Sequence, residues 1–163
     1  MDRKPHFKTR ARIILQLGEQ LIKSEAIALL ELMKNSYDAD ASKCSVRIYH
    51  PDDAENGRII IKDDGEGMDS KILRVAWLGI GTDYKETLTN KRSPKFHRLR
   101  LGEKGIGRFG VHRLGREVTI ITRASKKPEY ILRVNWDRVD DTEFVEELPV
   151  SITKRTRAET FIN

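Results

Sequence analysis

The stretch SEAIALLELMKNSYDADA, Ser24 to Ala41, is rich in alanine and leucine at helical spacing, and every β-branched run in the chain lies beyond it. Those runs are SVRIYH (45–50), RIIIKDD (58–64), EVTIITRA (117–124) and EYILRVNW (129–136). Parallel strands need a helical crossover of a dozen or more residues between them, whereas antiparallel strands need only a turn. The first pair of runs is separated by PDDAENG and the second by a short link through Lys126–Pro128. PDDAENG reads as a hairpin turn by composition. Helices first, strands later and one helical stretch between them predict an α+β two-layer sandwich.

Within that frame Ser24 is the expected N-cap and Glu25 the first-turn acid of a helix running to about Tyr37. Arg10 to Leu21 keeps helical spacing through Ile13, Ile14 and Leu17, with Gly18 as a point of interruption. Ser70 to Leu78 and Phe109 to Leu114 are short helices by pattern. Lys85 to Arg100 has no periodicity and reads as a mobile loop, and SITKRTRAETFIN begins a further strand. At 163 residues the chain is about one domain. No apolar run approaches the ~18 residues that cross a bilayer, and the polar N-terminus is no signal peptide. The single cysteine, Cys44, allows no internal disulfide and fits a cytoplasmic setting.

The net charge of +6 admits an anionic partner: nucleotide, nucleic acid or acidic protein. Much of it lies between Lys85 and Arg116, where Lys91, Arg92, Lys95, Arg98, Arg100, Lys104, Arg108 and Arg113 face only Glu86 and Glu103. Phe96 and Phe109 are too few for a base-stacking surface.

Three constellations carry chemistry. In ELMKNSYDAD, Glu31 and Asn35 are i and i+4 on one helix face and Asp38 continues it. A carboxylate beside an amide oxygen suits a water held next to a bound magnesium ion. In IIIKDDGEGMD, Asp63 ends a strand and Gly65 and Gly67 follow it, leaving backbone open to a planar ring. In GEKGIGRFG, Gly102, Gly105 and Gly107 precede a helix, where free amides and absent Cβ atoms admit phosphate. Neither a P-loop ending nor a Rossmann placement accompanies these glycines.

In this order the three boxes, with WLGIGTDYK between the second and third, resemble the GHKL superfamily. That superfamily includes DNA gyrase, the ninety-kilodalton heat-shock chaperones, sensor histidine kinases and the MutL mismatch-repair proteins. The resemblance spans roughly Arg10 to Trp136 and is closest to chaperone-like ATPase domains. It implies the Bergerat fold, a mixed, mostly antiparallel sheet covered on one face by helices, with ATP between them. Asp63 would accept the adenine amino group as a buried carboxylate, Gly65 and Gly67 would shape the base pocket, and Met68 would pack on the ring. Asn35 would ligate Mg2+ and Glu31 would act as general base. Gly102, Gly105 and Gly107, with Lys104 and Ile106, would hold the phosphates, and Thr82 and Lys85 would sit at the hinge of a lid spanning about Gly81 to Gly105. Asp38 would be a neighbouring polar support.

A histidine kinase lacks the catalytic glutamate and carries an acceptor helix upstream, so Glu31 favours hydrolysis over phosphotransfer. A nucleotide-gated module with little turnover is the other reading. The family's late-strand Gly-Thr element has no clear counterpart, Thr160 being a weak stand-in, and a transducer lysine is missing. The expectation is a truncated N-terminal module whose downstream domains, self-dimer contacts, protein client or nucleic-acid partner lie elsewhere.

Overall fold

The computed structural model describes residues 6–80, 92–102 and 107–156. Helix α1 spans Ile13–Leu21 and α2 spans Glu25–Asp38. Ser24 caps α2 as its composition predicts, the hydroxyl accepting from Ile27 N at 3.3 Å. Gly18 does not interrupt α1. It is buried where the segment around Phe109 and His112 crosses the helix, too close for a side chain. Strands β1 (Cys44–Tyr49) and β2 (Arg58–Asp63) form one antiparallel hairpin, Cys44 facing Asp63 and Tyr49 facing Arg58.

A single α-turn, α3 (Ser70–Leu73), is capped by Asp69 and runs on as a π-helical turn over Arg74–Leu78. The predicted helix at Phe109–Leu114 is a 3-10 helix over Gly107–Arg113. Strands β3 (Glu117–Thr122), β4 (Glu129–Asn135) and β5 (Val150–Arg155) make a second antiparallel sheet in that order. All ladders among the described residues are antiparallel and fall into two sheets, where the resemblance implied one mixed sheet. The α+β layering stands.

The core follows from strand register. Val118, Val134 and Val150 share one row across β3–β4–β5, and Ile120, Leu132 and Ile152 share the next, so alternation puts both rows on one face. Leu132, Val134 and Leu73 of α3 form the buried cluster on that face, with Met68, Trp77 and Trp136 packed against it. At the end of β4, Glu129 is wholly buried and lies 3.5 Å from Arg155 of β5. Among the described residues no helix is long and apolar enough to cross a membrane.

Candidate functional site

Helix α2 turns an unusual face inward. Ser36 and Asp38 are buried and Glu31, Lys34 and Asn35 half-buried, while Ile27, Leu30, Met33 and Tyr37 are exposed. An ordinary surface helix shows the opposite polarity. The inward polar residues are met by three other segments.

The first is the end of β2. Asp63 accepts from Ser36 Oγ at 3.0 Å and from Gly65 N at 3.0 Å, so each carboxylate oxygen is already oriented by one donor. An ionised carboxylate has about four lone-pair sites, which leaves room for a further donor. Asp63 is exposed, not buried as the resemblance implied, because β1–β2 stands as a separate hairpin with its outer end open. Asp64 is bound more tightly. Its carboxylate accepts from the amides of Ser42 (2.7 Å) and Lys43 (2.8 Å) and from the Ser42 hydroxyl. The hydroxyl and the amides together, against the cost of desolvation, pull its pKa from 3.8 to about 2.

The glycines after Asp63 have protein neighbours where a side chain would be. A Cβ on Gly65 would meet Ala39 O at 2.6 Å, and one on Gly67 would meet Arg123 O at 2.1 Å. Glu66 N donates to Ala39 O at 2.8 Å, and Met68 N donates to the buried Thr122 Oγ1 at 2.8 Å. The Asp-x-Gly-x-Gly loop is thus pressed between the end of α2 and the end of β3. Met68, expected on a ring, packs instead against the core beside Leu73 and Leu132, because its backbone is anchored at Thr122.

The second segment is the glycine motif. A Cβ on Gly107 would lie 2.8 Å from Glu31 Oε2 and 3.0 Å from Glu31 Cβ, so the Glu31 side chain lies directly on that glycine. Sequence positions 31 and 107 therefore meet at van der Waals distance. Glu31 also pairs with Lys34, Nζ to Oε1 at 2.6 Å, a contact predictable from i,i+3 spacing but absent from the reading of the motif.

The third segment is 92–102, which lies within the expected lid, overlaps the expected loop at 92–100, and is hydrogen-bonded to the end of α2. Asp38 accepts from Leu101 N (2.7 Å) and Gly102 N (2.9 Å). The Gly102 amide, expected to face phosphate, is taken by this carboxylate. Asp40 accepts from Ser93 Oγ and Lys95 N, both at 2.6 Å. Thr82, Lys85, Lys104, Gly105, Ile106 and Thr160 lie outside the described residues.

A family model described as histidine kinase-, DNA gyrase B- and HSP90-like ATPase matches residues 22–160. The chain belongs to this family. A search of curated proteins returned no match. The matched span of this GHKL domain contains all three constellations and the helix that joins them.

Magnesium is the metal such ATPase domains imply. Among the described residues no three His, Cys, Asp or Glu side chains are grouped to hold a metal. Magnesium keeps several waters and is held by one or two protein oxygens plus substrate phosphates, so it does not require such a cluster. Asn35, half-buried one turn beyond Glu31, offers a neutral oxygen of the required kind.

Proposed function

We propose that this GHKL domain binds ATP with magnesium and hydrolyses it, the nucleotide lying along the inward face of α2. The packing of Gly107 against the Glu31 carboxylate carries the reading, because it brings the glycine motif to the helix that bears Asn35. Asp63, held by Ser36 on the same helix, takes the adenine amino group. Asn35 ligates magnesium, which when bound offsets the charge of the phosphates. Gly105, Gly107 and Ile106 supply backbone to the phosphates, Lys104 supplies charge, and Thr82 and Lys85 belong to the closing segment. Gly65 and Gly67 let the loop beside the base run close to α2 and β3. Glu31 positions a water and accepts its proton. Lid closure and pairing of two chains are the conformational outputs.

Lys34 supports a second reading. An ammonium 2.6 Å from Glu31 Oε1 occupies a carboxylate oxygen that would otherwise be available to a water. A domain so arranged closes on ATP with little turnover, as a gate for a partner. One set of measurements separates the readings. Calorimetry should show ATP bound and GTP rejected, with Asp63→Asn weakening ATP about tenfold or more, the scale of a lost charged hydrogen bond. Single-turnover hydrolysis should fall ~10²–10⁴-fold in Glu31→Ala with affinity retained or raised. Equal binding of GTP refutes the adenine assignment. Equal hydrolysis in Glu31→Ala removes Glu31 from the chemistry and leaves the gate.

A further inference from the structure

Two carboxylates at the end of α2 are spent on the backbone of one distant segment. Asp38, 7% exposed, takes the consecutive amides of Leu101 and Gly102. Asp40, 3% exposed, takes the Ser93 hydroxyl and the amides of Lys95 and Phe96. The Ser93 hydroxyl in turn accepts from Arg98 N at 2.9 Å, closing the turn on itself. Arg98 donates to Ala41 O at 2.6 Å and lies over the rings of Tyr37 (4.6 Å) and Phe96 (4.4 Å). Asp40 holds a left-handed backbone, φ 60°, a conformation that asparagine and aspartate tolerate better than most residues. Charge-assisted hydrogen bonds of this kind are the strong ones, and here they are shielded from water.

The geometry points to a positioning role. We infer that Asp38 is a positioning residue that fixes where the glycine motif begins relative to Glu31 and Asn35, and that Asp40 braces the segment leading to it. Asp38 is three residues beyond Asn35 on the same rigid helix, and Gly102 is the first glycine of the motif. The end of the motif is set independently, by Gly107 on Glu31. Gly102 and Gly107, the first and last glycines of the motif, are therefore both referenced to α2. This rests on the nucleotide reading above. It adds a consequence that reading lacks: the phosphate end of the ligand, and not its base, depends on Asp38.

Electrostatics alone gives the opposite sign. Removing a negative charge near a polyphosphate strengthens binding, whereas releasing the loop amides weakens it. Calorimetry of the full chain with ATP and with adenosine decides between them. Asp38→Asn should lower ATP affinity about tenfold while adenosine affinity stays as in wild type, since one of the two amides then lacks its acceptor. A general loss of folding would lower both. Hydrogen exchange without nucleotide should speed up at Leu101 and Gly102 and stay unchanged in β3 and β4. Ser93→Ala, which loosens the brace from the loop side, should give a smaller fall of the same sign and serves if Asp38→Asn does not fold. ATP binding equal to or tighter than wild type in both variants overturns the inference. If the wild-type chain binds neither ATP nor adenosine, the nucleotide reading fails, and unchanged exchange at Leu101 and Gly102 in Asp38→Asn or Ser93→Ala would overturn the clamp as well.

Discussion

Gly67→Ala tests the packing of the Asp-x-Gly-x-Gly loop without touching a polar group. Gly67 sits at φ 63°, where an L-residue costs roughly 1–2 kcal/mol more than glycine. Its Cβ would also lie 2.1 Å from Arg123 O and 2.6 Å from Arg123 C, both backbone atoms at the end of β3. Non-bonded carbon contacts are optimal near ~3.5 Å, so the loop or the strand end has to move by more than an ångström. Backbone shifts of this kind cost ~1–3 kcal/mol. Together the terms give about 2–5 kcal/mol, a large part of the ~5–15 kcal/mol that holds a domain together. The melting temperature should fall by about 4–20 °C. The movement also pulls Met68 N away from Thr122 Oγ1, so the Met68 amide should lose exchange protection.

Gly115→Ala is the matched control. A Cβ there would meet nothing nearer than Glu117 O at 3.9 Å, and its φ is not positive. The same substitution should therefore be neutral or stabilise by ~0.4–1 kcal/mol, through the unfolded chain. Urea denaturation of both variants reads the difference directly. If Gly67→Ala unfolds within ~0.5 kcal/mol of wild type, the scatter of ordinary surface changes, the loop does not press on β3 and the argument is refuted.

Acid should act through Asp64. Its pKa is lower folded, about 2, than the ordinary 3.8, so its contribution to stability is complete above the ordinary value and is lost as pH falls through the folded one. Urea midpoints should drop between about pH 5 and pH 2, and Asp64→Asn should flatten that limb. In the core, Leu132→Ala removes a fully buried side chain from the β3–β5 face and should cost ~2–5 kcal/mol by the same denaturation assay, with no selective effect on ATP over adenosine.

What was legible in the sequence was local. The Ser24 cap, the hairpin turn at 50–57 and the strand periods are encoded by neighbours a few residues apart, and the structure has them there. The three constellations were legible as residue types that a phosphate site needs. Their true contacts were not, because they depend on distant backbone. Gly65 and Gly67 read as open space for a ring, yet Ala39 and Arg123 occupy that side. Thr122 reads as one more strand threonine, yet it is the acceptor for Met68 N. The Asp-Ala-Asp pattern at 38–40 carried a usable signal, two acids at the end of a helix where a negative charge is unfavourable. Only the basic segment, more than fifty residues later, explains them.

The energetic logic of α2 follows from that. A helix that leaves Leu30 and Met33 in water gains little from burial along that stripe, so beside the packing of Ala28, Leu29 and Leu32 its cap and polar contacts help to fix its position. Three of the inward residues are met from different parts of the chain: Ser36 bonds to the end of β2, Asp38 to the backbone at Leu101 and Gly102, and Glu31 packs on the backbone at Gly107. Buried polar contacts are directional, and a partner lost leaves a desolvated group at full cost. Apolar packing would tolerate a sliding helix, since contact area changes little with a small shift. These contacts do not. The helix that carries Glu31 and Asn35 is therefore held in one register against the two loops that would meet the base and the phosphates, which is the condition a water-positioning carboxylate has to satisfy.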